Sequence, residues 1–354
     1  MLIIFPYNEH TIISHPTLLS ILKKYESKNK TLFYYANHAH KLASSKNLSL
    51  IGHVYLDRRS WLQFLIKYFI KNLNKISNML SPFEPIIAFD NLGFHSALQF
   101  KRILKYKKIV YFNCEISPNL VEKTQIHNCS RFVIQDQFRL QLYQEAMQVE
   151  IPISKLNFCP VAYFDVSNSL PKENRNGLIY SGSVSKSFGL DKFILNAETS
   201  YTIHFQTHWT DNFEYFNNLI SKKGHVFEKK TFDNYHDLLV FLNRFQIGLA
   251  IYDNFHQDDN FINMSEIGLS SGKISAYSML GIPILYRGSA ALEIYNHKFN
   301  FGLSIDSIEN LEDSVNLILS NYDYYSANAR NFYLNILNPD LHFNHIFSNK
   351  PDDT

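Results

Sequence analysis

The segment 270–285, SSGKISAYSMLGIPIL, has residues suited to binding phosphate at a helix N-terminus. Ser271 is a good N-cap, Gly272 allows a ligand to approach the backbone, and Lys273 falls in the first helical turn. A lysine at this end opposes the helix dipole and costs ~0.3 to 1 kcal/mol unless an anion lies nearby. The pattern therefore indicates either a diphosphate site or an ordinary capped helix whose lysine reaches into solvent.

A second short motif, Ser181, Gly182 and Ser183, directly follows a predicted strand at 177–180. Its two hydroxyls can donate to phosphate oxygens, and the glycine removes a side chain where a ligand must meet the backbone. Open α/β sheets bind ligands beyond the carboxyl ends of their strands. We therefore expect this loop to lie opposite Lys273 around a diphosphate; a tight structural turn is the alternative.

The elements that must position these motifs alternate between strands and helices. Apolar runs predict strands at 2–6, 31–36, 49–56, 85–89, 108–112 and 131–135. Helical spacing predicts helices between them at 15–25, 60–80, 93–104 and 137–147. Strands separated by helices imply a mostly parallel sheet that is covered by helices on both faces.

The same alternation restarts after the polar segment 167–176, which we interpret as a linker. Strands are predicted at 177–180, 201–206, 247–251, 282–286 and 302–305, with helices beginning at residues 212, 235, 272, 290 and 310. The fold class is therefore α/β with two Rossmann-like domains, at 1–168 and 177–321. A helical tail, 322–354, is expected to cross back onto the first domain.

Composition narrows the possible classes of protein. The chain has 354 residues, 45% of them hydrophobic, which is enough for two packed cores. No apolar run approaches the ~18 residues of a membrane span, and the first residues do not resemble a signal peptide. We therefore expect a cytoplasmic protein. Residues 1–165 carry 20 Lys and Arg against 11 Asp and Glu, whereas the remainder is acidic, so the first half could face phosphates or anionic lipid.

Residues 57–76, DRRSWLQFLIKYFIKNLNKI, combine an apolar stripe with basic residues. This pattern is typical of a helix that lies on an anionic membrane surface, and it is equally typical of a core helix with a lysine edge. On the first interpretation the protein is peripheral to the inner face of the cytoplasmic membrane. The residues that would contact the membrane are Arg58, Arg59, Trp61, Lys67, Lys71 and Lys75.

The stretch 178–319 resembles the donor-nucleotide domain of GT-B glycosyltransferases. It contains LIYSGSVSKSFGLDKFI, FQIGLAIYDN and a match to the pattern S-G-K-[LI]-x-x-Y-x-x-x-G-x-P. VIQDQFRLQLYQ in the first half is similar to the end of the acceptor domain, with Asp136 and Arg139 matching Q-D-x-x-R. The matching residues in the donor-domain pattern are Ser271, Gly272, Lys273, Tyr277, Gly281 and Pro283.

The resemblance implies transfer of a sugar from a nucleotide-sugar donor, with the nucleotide between the domains and largely on the second. The sequence is similar to bacterial enzymes that synthesise surface polysaccharides such as capsule or lipopolysaccharide. The resemblance therefore implies that the acceptor is a glycan or a lipid-linked glycan. No cofactor, metal ion or nucleic acid is expected. The donor-binding residues would be Ser181, Gly182, Ser183, Ser271, Gly272, Lys273 and Tyr277.

Catalysis would use a base that deprotonates an acceptor hydroxyl, or donors that stabilise the leaving diphosphate. The titratable residues that follow strands of the first domain are Glu115 and Asp90, with Glu9 and His10 as further candidates. Each of them could instead be a helix cap or a solvated loop residue.

One departure from the family pattern concerns the two glutamates that many retaining GT-B enzymes carry. Those positions are Gly268 and Ala276 here, so the glutamate that contacts the donor ribose is absent. Whether the sugar is transferred with retention or inversion stays open. The alternatives are a nucleotide-sugar epimerase of the same architecture and a non-catalytic binding or scaffold protein.

Overall fold

The computed structural model describes residues 2–5, 15–24, 30–34, 48–53, 85–104, 108–117, 119–167, 174–252, 267–305 and 308–347. The chain divides into two compact units, and each is described by itself. The first unit comprises Met1–Cys159 and His342–Thr354, and the second comprises Pro160–Leu341. The boundary lies after Cys159, and only the last part of the predicted tail belongs to the first unit; the rest packs in the second.

The described strands of the first unit form a parallel sheet in the order β3-β2-β1-β4-β5-β6-β7. Each central strand is short and fully buried, as expected where helices cover both faces. Along the chain its elements are β1 (Leu2–Phe5), α1 (Pro16–Lys24), β2 (Lys30–Tyr34), β3 (Leu48–His53), β4 (Ile86–Phe89), α2 (Asp90–Leu104), β5 (Ile109–Phe112), α3 (Leu120–Gln125), β6 (Arg131–Ile134), α4 (Gln137–Met147) and β7 (Leu156–Phe158).

The core of the first unit lies between this sheet and two helices. Alternate side chains of the central strands, such as Phe5, Phe89 and Phe112, pack with Leu18 and Ile21 of α1. The rings of Phe5 and Phe89 meet edge to face at 5.1 Å. The final helix of the chain adds Phe343 and Ile346 to the same cluster, so the C-terminal residues form part of this core.

The second unit has a six-stranded parallel sheet in the order β10-β9-β8-β11-β12-β13. Its interior is built from β8, β9 and β11 and from helices on either side. The elements are β8 (Leu178–Ser181), α5 (Leu190–Asn196), β9 (Ile203–Thr207), α6 (Phe213–Lys222), β10 (Val226–Lys229), α7 (Tyr235–Leu242), β11 (Ile247–Ile251), α8 (Gly272–Met279), β12 (Ile284–Arg287), α9 (Ala290–Phe299), β13 (Gly302–Ser304), α10 (Leu311–Ser320) and α11 (Tyr322–Phe332). The final helix, α12 (Pro339–Phe347), begins in this unit, and its residues from His342 onward belong to the first unit.

These two sheets confirm the predicted α/β fold class. In the described part of the chain, most predicted elements are found within a few residues of their expected bounds, and α4 and β11 match theirs. The predicted helix at 60–80 lies outside the described residues. Strands β7 and β10 were not predicted, and α2 begins at Asp90, three residues before its expected start. None of the described helices is long and apolar enough to cross a membrane.

Candidate functional site

The N-terminus of α8 is built as the sequence predicted. The N-cap is Ser271, whose Oγ accepts the backbone N–H of Ile274 at 3.4 Å. The same oxygen hydrogen-bonds to the hydroxyl of Tyr252, the residue that follows β11. Gly272 opens the helix, and the amide groups of this first turn have no partners inside the helix. The helix end is therefore fixed to the carboxyl edge of the sheet.

Lys273 places a cation between aromatic rings at this edge. Its Nζ lies 4.0 Å from the centre of the Tyr180 ring and 5.1 Å from that of Tyr252. Although part of the side chain is exposed, burial of the ammonium group lowers its pKa to about 7. Among the described residues, no carboxylate forms an ion pair with Lys273. Such a cation is well suited to a phosphate ligand.

Gly182 lies against the end of the Lys273 side chain, and we call the surface formed by Gly182, Ser183, Gly272 and Lys273 the recess. Its φ of +154° is rarely adopted by other residues, and a Cβ atom built on it would lie 3.1 Å from Lys273 Nζ. The flanking residues are held by hydrogen bonds: Ser181 Oγ donates to Gln206 Oε1 at 2.5 Å, and the Ser183 carbonyl accepts the Tyr180 hydroxyl at 2.9 Å. The loop therefore meets Lys273 at a position where only a glycine fits easily.

Three predicted donor-binding side chains lie inside the protein. Tyr277 is fully buried, and Ser181 and Ser271 are nearly so. The Tyr277 hydroxyl accepts the N–H of Ser181 and donates to the carbonyl of Ile179. These side chains hold the backbone around the recess, so Gly182, Ser183, Gly272 and Lys273 remain as the residues that a ligand could touch.

The candidate catalytic residues of the first unit meet at the carboxyl ends of β4 and β5. Asp90 is buried, with a φ of +50°, and its Oδ1 accepts the N–H groups of Cys114 at 2.6 Å and Glu115 at 2.8 Å. The side chain of Glu115 is exposed. Asp90 therefore anchors the loop that presents Glu115, and Glu115 is the carboxylate that an acceptor could reach.

A buried network that we did not predict fixes the same loop from the other side. The guanidinium of Arg139 donates to the Cys114 carbonyl at 3.0 Å and to Gln135 Oε1 at 2.9 Å. Gln135 in turn donates to the carbonyl of Asn113 at 2.7 Å. Burial lowers the pKa of Arg139, an effect that the nearby charge of Asp136 opposes. The family pattern Q-D-x-x-R contains Gln135 and Arg139, and it was the available signal for this network.

A buried carboxyl group, Glu122, lies behind this loop. It accepts hydrogen bonds from the hydroxyls of Tyr111 and Tyr143 and from the side-chain amides of Asn113 and Asn119. Burial raises the pKa of Glu122, and these hydrogen bonds oppose the shift. These hydrogen bonds join α3, which contains Glu122, to β5 and α4. Because Glu122 is fully buried, it does not form part of an open site.

The remaining predicted site residues lie outside the described part of the chain. They are the candidate acid and base residues Glu9 and His10, and the membrane-contact residues Arg58, Arg59, Trp61, Lys67, Lys71 and Lys75.

No protein-family model and no curated protein sequence matches this chain. Solved structures do resemble it along nearly its whole length. Sucrose-phosphate synthase from Thermosynechococcus elongatus has a TM-score of 0.62 at 12% identity, over 98% of this chain and 96% of that one. WaaG, a glycosyltransferase of lipopolysaccharide biosynthesis, has a TM-score of 0.57 at 12% identity, over 99% of this chain and 100% of that one.

A third structure, trehalose-6-phosphate from E. coli bound with UDP-2-fluoro glucose, has a TM-score of 0.61 at 12% identity. It is matched over 98% of this chain and 96% of the other. Structural similarity of this extent shows a shared fold, and identities this low leave the substrates open. The resemblance that the sequence predicted is confirmed at that level: this chain has the GT-B fold of glycosyltransferases.

Proposed function

We propose that this protein is a glycosyltransferase that takes a sugar from a nucleotide-sugar donor. The observation that carries the proposal is the Lys273 ammonium, partly desolvated beside Gly182 at the N-terminus of α8. A cation, a glycine and a helix N-terminus together favour the diphosphate of such a donor. A solved structure of the same fold is bound with UDP-2-fluoro glucose, which supports a donor of this class.

The donor diphosphate would be bound without a metal ion. Lys273 and the amide groups around Gly272 supply positive charge where the leaving diphosphate develops negative charge. A divalent cation is the usual alternative source of that charge. We therefore expect turnover to continue in the presence of a chelator, and loss of activity with EDTA that Mg²⁺ restores would contradict this part of the proposal.

Glu115 is the proposed general base toward the acceptor hydroxyl. Its side chain is exposed while its backbone is held by Asp90, and this arrangement suits a group that must reach a substrate from a fixed position. Asp90, with an oxygen occupied by two backbone N–H groups, is better suited to positioning than to proton transfer. Glu9 and His10 stay as alternative catalytic residues.

The proposed acceptor is a glycan, carried on a lipid, in bacterial surface-glycan synthesis. The basic first half and the aromatic and lysine pattern of residues 57–76 support an enzyme that works at the inner face of the cytoplasmic membrane. WaaG, which shares the fold, is involved in lipopolysaccharide biosynthesis.

A donor screen tests the proposal directly. Nucleotide sugars with uridine, guanosine, adenosine or cytidine are compared by thermal shift, because a ligand at ~100-fold its Kd should stabilise the fold by ~2.7 kcal/mol. The stabilising donor is then incubated with candidate acceptors and the products are analysed. Sugar transfer supports the proposal, isomerised donor indicates an epimerase, and binding without turnover indicates a scaffold protein. A chain that binds no nucleotide would contradict all three.

A further inference from the structure

Trp209 is an exposed tryptophan on a rigid backbone. Its side chain is 48% exposed, whereas tryptophan is highly buried on average. Its N–H donates to Thr207 Oγ1 at 3.1 Å, and its carbonyl accepts both the Thr207 hydroxyl and the N–H of Val184 at 3.1 Å. Among the described residues, no aromatic ring or cation stacks on the indole. The backbone is thus fixed while the ring remains available to a ligand.

Trp209 is also joined to the loop that forms the phosphate recess. It follows β9, the neighbour of β8 in the sheet, and the two loops pair through a parallel bridge between Val184 and Thr210. Two residues before Val184 on that loop is Gly182, which faces Lys273. Adjacent strands are only ~4.8 Å apart, so the backbone of Trp209 lies within a nucleotide's length of the recess.

Residues that follow the next strand, β10, line a cavity. The Thr207 carbonyl accepts the N–H of Lys230, which follows β10. Lys230 lines a cavity of about 390 Å³ together with aromatic and charged side chains, among them Phe232, Asp233 and Phe241. Along the order β8, β9, β10, the phosphate recess is therefore followed by an aromatic platform and then by a cavity with polar and aromatic walls.

We propose that Trp209 is a stacking platform for the base of the donor nucleotide. The inference rests on the proposed function, since a base would be brought to Trp209 by a nucleotide whose diphosphate is bound at Lys273. A flat base gains most from an aromatic face held at a fixed position, and stacking of this kind tolerates any base. Selectivity between bases would then come from polar groups at its edge, and Trp209 would supply affinity.

Intrinsic fluorescence provides the test, because the chain has only two tryptophans, Trp61 and Trp209. In a Trp61→Phe variant, whose folding is checked by its Tm, Trp209 is the sole fluorophore. The probes are UDP, GDP and ADP, with inorganic pyrophosphate as the ligand that has the charge and lacks a base. We expect any nucleotide that binds the protein to quench the fluorescence of Trp209. Pyrophosphate should bind without quenching it.

Affinity measurements on three variants complete the test. Trp209→Ala should weaken nucleoside diphosphate binding by about 5-fold to 150-fold and leave pyrophosphate binding unchanged. Trp209→Phe should retain most of the affinity, because an aromatic face is kept. The matched control is Phe213→Ala, which removes another exposed aromatic ring near the same loop. The Phe213 ring already stacks on Phe227, with 5.2 Å between the ring centres, so the affinity for nucleoside diphosphates should not change.

The outcomes separate this inference from the proposed function. Nucleotides that bind the wild type without quenching Trp209, and equally well to Trp209→Ala, would overturn the stacking role and leave the donor site in place. Equal quenching by pyrophosphate would also overturn it, since the signal would not require a base. Failure of every nucleotide to bind the wild type would overturn both proposals together.

Discussion

The hydroxyl of Tyr277 accepts the N–H of Ser181 at 3.0 Å, which fastens helix α8 to the last residue of β8, directly before Gly182. The ring packs so closely on Gly248 that a Cβ atom there would lie 2.3 Å from it. Since residues four apart lie on the same side of a helix, the position of Tyr277 also directs Lys273 toward Gly182. The contacts that position Lys273 are thus formed in the absence of a ligand, as the proposed stabilisation of a diphosphate requires.

Replacing Lys273 with alanine should weaken the binding of nucleoside diphosphates by about 10-fold to 150-fold. This is the value of a charge-assisted hydrogen bond, ~1.5 to 3 kcal/mol. The fold should survive, because no described carboxylate depends on Lys273 for an ion pair. Calorimetric titration measures the change. Lys222→Ala is the matched control, since this exposed lysine lies at the C-terminal end of α6. Equal affinities in wild type and Lys273→Ala would reject the placement.

The affinity for a nucleoside diphosphate should fall as the pH rises above 7. Burial lowers the pKa of Lys273 to about 7, so the free protein loses this charge as the pH rises through that value. A bound diphosphate favours the charged form and raises the pKa again, so binding above pH 7 must take up a proton. The expected slope is up to ~10-fold per pH unit.

Titrations between pH 6.5 and 9, in buffers with different ionisation enthalpies, measure both the slope and the proton uptake. The phosphate groups of the ligand are fully ionised across most of this range and contribute little to the slope. In Lys273→Ala the slope should disappear. A wild-type affinity that is constant from pH 7 to 9 would show that Lys273 does not change its charge on binding.

Gly182→Ala should weaken nucleotide binding more than it affects stability. The added methyl group would lie 3.1 Å from Lys273 Nζ and 3.2 Å from its Cε, so the ammonium must move away from the recess. Gly224→Ala is the control: Gly224 also has a positive φ, +74°, but a Cβ atom there meets nothing within 4 Å. It should therefore show backbone strain of ~1 kcal/mol in the Tm and no change in Kd. Identical losses of affinity in both variants would assign the effect to strain.

Sequence reasoning worked best where apolar runs and caps carry the information. Central strands such as β11 are continuous apolar segments, and Ser271 is recognisable as an N-cap from its neighbours alone. Strands β7 and β10 were missed because they lie at the edges of their sheets, where partly exposed side chains break the apolar run.

The roles of individual site residues were harder to predict, because they depend on contacts between distant parts of the chain. Tyr277 belongs to the recognised pattern, but only the packing on Gly248 shows that it supports the site from inside. Asp90 and Glu115 both follow strands, so the sequence gives them equal standing as catalytic residues. The hydrogen bonds from Cys114 and Glu115 to Asp90 distinguish the anchor from the exposed carboxylate.

Glu115→Gln should lower kcat by ~10²-fold or more without a comparable loss of donor affinity. The substitution keeps the size of the side chain, and the backbone N–H that binds Asp90 is unchanged, so the loop should stay in place. Glu150→Gln, which neutralises an exposed glutamate before β7, is the control and should be fully active. Full activity of Glu115→Gln would move the catalytic role to Glu9 or His10, and activity after neutral replacement of all the candidates would refute a carboxylate or histidine base.

Residues 57–76 should bind anionic membranes through their lysines. Each lysine near an anionic surface contributes about 1 kcal/mol, and salt screens the attraction. Wild-type protein should therefore float with anionic vesicles at low salt, be released at high salt, and ignore neutral vesicles. Reversing Lys67, Lys71 and Lys75 to Glu should abolish flotation and preserve nucleotide affinity, because the donor site lies in the other unit.

The same charge change placed on the second unit gives the matched control. Lys222, Lys223 and Lys229 are exposed, so their reversal to Glu alters the net charge equally and should leave flotation intact if the membrane contact is local. If 57–76 is instead a core helix with a lysine edge, the wild type should not float at all, and reversal of its three lysines should appear as a lower Tm. Absence of flotation with anionic vesicles at low salt would therefore eliminate the membrane role and leave the donor site untouched.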